Sequence, residues 1–64
     1  MRYTDKIIYD EICCTLDRET IIKKAENSYI EPFEYILDFI KYQYNIEKKD
    51  ALFTAKRICK YFNV

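Results

Sequence analysis

No glycine occurs in the 64 residues of this chain, and proline occurs once. The tight turns of β-hairpins need residues that adopt positive φ, chiefly glycine, so a sheet built from hairpins is disfavoured. Half of the residues are apolar and a third are charged, which is typical of a globular chain. The sequence therefore predicts one all-α domain over residues 1–64, near the lower size limit for an unaided core.

Capping residues predict where the first two helices begin and end. Thr4 or Asp5 can accept hydrogen bonds at the start of a helix that runs to about Leu16. Asp17 can cap a short second helix, which Asn27-Ser28 ends. At the helix starts, Thr4, Asp5 and Asp17 each supply a side-chain oxygen near backbone N–H groups that a helix leaves unsatisfied.

Two longer helices are predicted in the second half of the chain. Pro32 favours the first position of a third helix, and Asn45 ends it. An alternative start is a capping box formed by Ser28 and Glu31. The fourth helix follows a short turn and runs to about Phe62. We therefore expect a compact bundle of three longer helices and one short helix.

The apolar faces of the four helices predict a shared core. Residues spaced three and four apart recur on one side of each helix, as in amphipathic helices that pack together. The expected core consists of Ile8, Ile12, Leu16, Ile22, Phe33, Ile36, Leu37, Ile40, Leu52, Ala55, Ile58 and Phe62. Cys13 and Cys59 also lie on apolar faces and are expected to pack as small hydrophobic residues, whereas Cys14 points away.

The third helix carries a second apolar stripe opposite its core face. Tyr35, Phe39 and Tyr42 fall on this side, with the polar residues Glu34 and Asp38 on the flank between the two stripes. Large amphipathic rings are enriched in protein interfaces. We therefore predict a protein-interface site at these five residues, and the partner is a protein of unknown identity or a second copy of the chain.

The second stripe also has a purely structural explanation, in which the third helix lies in the centre of the bundle. The first and fourth helices would then cover one face, and the second helix or Tyr3 would cover the other. Acidic mimicry is a further hypothesis, in which Glu26, Glu31, Glu34 and Asp38 present carboxylates to a basic partner. Solvated helices often carry such residues, so this pattern by itself is weak evidence.

The C-terminal helix offers an alternative function, which is nucleic-acid binding. Its polar face carries four cationic side chains around one aromatic ring, namely Lys49, Phe53, Lys56, Arg57 and Lys60. Such a face can contact phosphates and stack on a base. It also suits an acidic protein partner. Solvated lysine faces are common, however, and the formal net charge of the chain is zero.

A helix-turn-helix over residues 20–40 fits poorly. Lys24 and Ser28 fall where that motif needs apolar residues. The would-be recognition helix also begins with Glu31 and Glu34 and continues to Asp38, which would repel phosphates. This version of DNA binding is rejected.

Catalysis, cofactors and metal binding find no support in the sequence. It contains no histidine, no glycine-rich phosphate loop and no CxxC pair. Glu34 and Asp38 are paired carboxylates one turn apart, a spacing that is ordinary on solvated helices. We expect a non-enzymatic protein without a cofactor.

Location and source are inferred from composition. There is no 18-residue apolar run and no apolar core after the first residues, so we expect a cytoplasmic protein without membrane contact. More than half of the residues are Ile, Lys, Tyr, Phe, Asn or Met, whose codons are AT-rich. Small proteins of this composition are common in phages and mobile elements. The function that we predict is that of a small regulator or inhibitor.

Overall fold

Four α-helices make up the regular structure of residues 4–64, the part of the chain that the computed structural model describes. Their bounds are α1 Asp5–Thr15, α2 Arg18–Asn27, α3 Pro32–Tyr44 and α4 Lys48–Phe62. They contain 11, 10, 13 and 15 residues, so α2 is shorter than α1 by one residue. No strand occurs within these residues, which confirms the all-α prediction for them.

The predicted N-caps explain where α1 and α2 begin. Thr4 has extended backbone angles, and its Oγ1 accepts a hydrogen bond from the backbone N–H of Ile7 at 3.4 Å. Asp17 Oδ1 accepts from the N–H of Thr20 at 2.7 Å. This hydrogen bond holds the pKa of the Asp17 carboxyl below its usual range, because it stabilises the charged form.

The start of α3 decides between the two predicted alternatives. Glu31 is the extended N-cap residue and Pro32 occupies the first turn, as the residue before a proline and the proline itself prefer. Ser28 ends α2 instead of capping α3, so the capping-box alternative was wrong. Asn45 adopts the left-handed conformation at the end of α3, and Asn63 does so at the end of α4. Asparagine tolerates this conformation better than most residues.

The helices follow one another in space in the order α1, α4, α3, α2. The closely packed pairs are α1 with α4, α4 with α3, and α3 with α2. The described residues span 32 × 19 × 16 Å. α3 packs closely against α4 and α2, and its outer side carries exposed residues such as Glu34 and Tyr42.

Half of the predicted core is fully buried in the structure. The confirmed residues are Ile8, Ile12, Ile36, Ile40, Ala55 and Ile58. Larger predicted residues lie around them and are only partly buried, namely Leu16, Ile22, Phe33, Leu37, Leu52 and Phe62. The remaining buried positions are Ile21, Ala25, Ala51, Thr54 and Cys59. Among all the buried residues there are three alanines, Ala25, Ala51 and Ala55, whose small side chains allow close approach of neighbouring helices.

The choice of Ile22 as the core residue of α2 was wrong. Ile21 is fully buried, whereas Ile22 is half-buried beside Glu19 and Lys23. Adjacent residues on a helix project about 100° apart, so only one of the two can point at α3. Cys59 is buried, as expected of a core cysteine, whereas Cys13 is only half-buried and Cys14 is exposed.

Candidate partner-binding surface

The second apolar stripe of α3 is divided by the fold. Tyr35 and Phe39 are half-buried and pack against the core, with their ring centroids 6.3 Å apart. Tyr42 is 92% exposed. Two rings of the predicted interface site are therefore anchored by their own domain, and the third stands in solvent. The suggestion that Tyr3 covers this stripe concerns a residue outside the described part of the chain.

An open depression of about 450 Å³ follows the stripe. One wall is the outer side of α3, and the other is the segment that joins α2 to α3. Its lining residues are Ser28, Ile30, Tyr35, Asp38, Phe39, Tyr42 and Gln43, and we call it the aromatic groove. The structure thus brings four of the five predicted interface residues to one depression. Glu34 is exposed on α3 but does not line it.

A second depression lies on the other side of Phe39. It has a volume of about 370 Å³ and is formed with α1, where Glu11 and Thr15 contribute to its lining. Phe39 and Gln43 line both depressions and form the ridge between them. The Tyr44 hydroxyl donates a hydrogen bond to Glu11 Oε2 at 2.6 Å, which ties α3 to α1 beside the ridge.

Tyr29 is an unpredicted part of this region. It lies in sequence between two groove residues, Ser28 and Ile30, and its side chain is 96% exposed. Its φ is 57°, in the left-handed region that favours glycine. Exposure of a large ring and an unfavourable backbone conformation thus coincide at one residue.

The hydrogen bonds around Tyr29 explain its backbone conformation. Its N–H donates to the carbonyl of Glu26 at 3.1 Å, and the N–H of Ile30 donates to the carbonyl of Ala25 at 3.0 Å. This is the Schellman arrangement, in which a left-handed residue closes the end of a helix. In a chain without glycine some other residue must take that position. The absence of glycine was therefore the sequence signal that a non-glycine residue would end a helix in the left-handed conformation.

The acidic flank of α3 is accessible. Glu34 and Asp38 are both exposed, and neither forms an ion pair within residues 4–64. Asp38 also lines the aromatic groove, where a carboxylate would meet a donor or cation carried by a bound segment. Glu31 and Glu26, the other members of the acidic set, are exposed as well.

The basic face of α4 is less uniform than its sequence indicates. Lys56 and Lys60 are exposed, and Lys49 makes a loose surface contact of 3.9 Å with Glu47. Arg57, however, pairs with Asp5, and its guanidinium carbon lies 4.5 Å from the centre of the Tyr9 ring. Arg57 therefore belongs mainly to the contact between α1 and α4.

Phe53 is accessible, as its predicted role requires. It is 58% exposed, as a ring that stacks on a base must be. It also lines a depression of about 250 Å³ together with Asp5, Asp50 and other residues of α1 and α4. The Asp50 carboxylate would repel phosphates on that side of the ring, whereas the Asp5 carboxylate is paired with Arg57.

The three cysteines are free thiols. Burial raises the pKa of the Cys59 thiol. Burial is also the main cause that raises the pKa of the Cys13 thiol, and a hydrogen bond with Tyr9 acts in the opposite direction. Both therefore favour the unreactive protonated form. In residues 4–64 no group of three or more Cys, Asp or Glu side chains is arranged to hold a metal ion.

Comparison with known protein families, with curated proteins and with solved structures finds no match for this chain. Among the described residues, no helix is both long enough and apolar enough to cross a bilayer.

Proposed function

We propose that this protein is a small, non-enzymatic regulator or inhibitor that acts by binding another protein through the aromatic groove. The observation that carries the proposal is the exposure of Tyr42 and Tyr29, at 92% and 96%, on and beside a groove whose floor is also aromatic. Burying one large ring contributes roughly 1.5–3 kcal/mol, so two such rings favour association strongly.

The shape of the groove favours a protein over a small ligand. It is an open depression along one helix, whereas small-molecule sites enclose most of the ligand surface. Tyr35 and Phe39 are held in place by core contacts, which lowers the entropic cost of presenting them. The groove thus combines fixed rings at its base with an exposed ring at its margin.

The acidic residues of α3 indicate the chemistry of the partner. Asp38 inside the groove and Glu34 on the same exposed flank favour a segment that carries both apolar and basic side chains. Such charges influence the association rate and the choice of partner more than the final affinity. Mimicry of an acidic ligand by Glu26, Glu31, Glu34 and Asp38 is one form that inhibition would take.

Three further parts of the proposal rest on composition. A chain without histidine, whose carboxylates Glu34 and Asp38 are solvated, has few means of general acid–base catalysis, and this supports a non-enzymatic role. A cytoplasmic location and a phage or mobile-element origin remain proposals from sequence character and codon bias. The division into three longer helices and one short helix also remains a proposal, since α1 and α2 differ in length by one residue.

Affinity capture from the native host tests the proposal. The wild-type protein and the variant Phe53→Ala should retain the same partner, because Phe53 lies on α4 away from the groove residues. The variant Tyr29→Gly/Tyr42→Ala should lose it, since both exposed rings are removed. Retention by this variant, with helicity unchanged by circular dichroism, would contradict the proposal.

Nucleic-acid binding through α4 is the second candidate. The exposure of Phe53 among Lys49, Lys56 and Lys60 favours it. Binding to DNA or RNA should then weaken steeply with salt and disappear when the three lysines become glutamate. Absence of binding to either nucleic acid at low salt would eliminate this candidate.

A further inference from the structure

The exposed flank of α3 has an ordered charge pattern. Glu34 and Asp38 come first along the helix and Lys41 follows, and all three side chains are exposed. None of them forms an ion pair within residues 4–64. The flank therefore has an acidic N-terminal part and a basic C-terminal part beside the aromatic groove.

This pattern is complementary to itself when two α3 helices run in opposite directions. In an antiparallel pair related by a twofold axis, each flank faces the same flank of the other copy, and a contact of residue i with residue j occurs twice. A register that places Tyr35 level with Tyr42 of the second copy places Lys41 level with position 36. That position is midway between Glu34 and Asp38, roughly 3 Å along the axis from each.

We infer that the aromatic groove is occupied by a second copy of this chain when the target is absent, with the two α3 helices antiparallel. The inference rests on the proposed function, because it names an occupant of the same surface. The aromatic stripe sets this register, and the charged flank is complementary in it. Phe39 then lies within about one residue of the symmetry axis, where the two rings meet.

The pairing is expected to be weak. α3 has 13 residues and is therefore about 20 Å long, so a contact along one helix is smaller than the roughly 800 Å² per partner of a standard interface. Contacts of this size are typical of weak, transient complexes. Weak pairing lets a target with better complementarity displace the second copy.

Charge reversal gives a specific test by sedimentation equilibrium. Glu34→Lys/Asp38→Lys makes the flank wholly basic, and Lys41→Glu makes it wholly acidic. Each variant alone should dimerise at least about 10-fold more weakly than wild type, since both symmetry-related contacts become repulsive. An equimolar mixture of the two variants should form a heterodimer at least as readily as the wild type forms its dimer.

A matched control separates register from net charge. Asp10→Lys/Glu19→Lys changes the net charge by the same amount at exposed positions of α1 and α2. This control variant should dimerise like the wild type. It should not form a heterodimer with Lys41→Glu more readily than it forms its own dimer. Circular dichroism of every variant verifies that the helices remain folded.

Several outcomes would overturn the inference. These are a wild-type protein that stays monomeric at about 1 mM, charge-reversed variants that dimerise normally, or a mixture that forms no heterodimer. If Lys41→Glu paired with the control variant as strongly as with Glu34→Lys/Asp38→Lys, the attraction would be non-specific, and this result would also overturn the inference. A monomeric wild type that still captures a target through Tyr42 dismisses self-pairing and leaves the proposed function standing.

Discussion

The two outer edges of the bundle use similar side chains in opposite ways. At the α1–α4 edge, Asp5 accepts a hydrogen bond from the Thr54 hydroxyl at 2.7 Å and pairs with Arg57. The Arg57 guanidinium lies over the Tyr9 ring. The Tyr9 ring meets the Tyr61 ring edge-on, with the ring centroids 5.9 Å apart. Charges and rings at this edge are joined to one another and hold the two helices together.

At the α2–α3 edge the corresponding groups face solvent. Tyr29 and Tyr42 are almost fully exposed, and Asp38 has no ion-pair partner within residues 4–64. The difference teaches that tyrosine content alone does not identify an interface in a chain this small. The informative feature is which rings the fold leaves without contacts.

The largest expected effect concerns Asp5, at the joined edge. Asp5→Ala leaves the Thr54 hydroxyl, which is 1% exposed, without its acceptor, and it leaves Arg57 unpaired. An unsatisfied buried polar group costs about 1–3 kcal/mol, so the free energy of unfolding should fall by that amount in urea denaturation.

Two controls sharpen this prediction. Asp5→Asn keeps an acceptor for Thr54 and should cost less than Asp5→Ala. Asp38→Ala, at the open edge, should change the free energy of unfolding by less than about 0.5 kcal/mol. Equal losses for Asp5→Ala and Asp38→Ala would break the comparison between the edges.

A gain in stability is expected from Tyr29→Gly. Glycine removes the left-handed backbone cost of about 1–2 kcal/mol but adds unfolded-state entropy, so the net gain is about 0.5–1 kcal/mol. Asn45→Gly is the matched control and should gain less, because asparagine tolerates φ of 48°. A loss of stability in Tyr29→Gly would show that the ring makes contacts that stabilise the fold.

A smaller effect is expected on the pH dependence at the α1–α2 junction, which belongs to neither edge. The folded state lowers the pKa of Asp17, so the ionised carboxylate stabilises the fold. This contribution to the free energy of unfolding is complete above the ordinary carboxyl pKa and is lost as pH falls through the lowered pKa of the folded state. Asp17→Asn can still cap α2 but should lack this acid-dependent part. Urea denaturation of both proteins between neutral and acid pH measures the difference, and identical profiles would contradict it.

The smallest effect on stability is expected for Tyr42→Ala. Since Tyr42 is 92% exposed, the free energy of unfolding should change by less than about 0.5 kcal/mol. Tyr9→Ala removes ring contacts with Arg57 and Tyr61 and should cost more, about 1–2 kcal/mol. Thermal unfolding followed by circular dichroism compares the two, and a larger loss for Tyr42→Ala would place that ring in the core.

Helix boundaries were predictable because their determinants are local. Thr4, Asp17, Pro32 and Asn45 each act within a few residues, so the sequence contains the whole signal. The choice between Ile21 and Ile22 depends instead on the direction from which α3 packs, which no local pattern contains. The core prediction was therefore wrong at Ile22, where burial depends on packing between helices.

The candidate site shows the same limit. The stripe of Tyr35, Phe39 and Tyr42 follows from helical spacing alone, but which of its rings is covered depends on how α3 packs against the core. Helical spacing places Arg57 on the basic face of α4 and does not show its pairing with Asp5, which lies at the other end of the chain. Pairings between distant residues are set by topology, which sequence spacing does not provide.

Site-specific photocrosslinking tests the central claim most directly. The photoreactive residue p-benzoylphenylalanine is placed at position 42 or, as a matched exposed control, at position 53 of the full chain, and each protein is irradiated in host cells. We predict a defined protein adduct from position 42, either a second copy or another protein, and no such adduct from position 53. The absence of any adduct from position 42, or the same adduct from both positions, would contradict a docking surface at the aromatic groove.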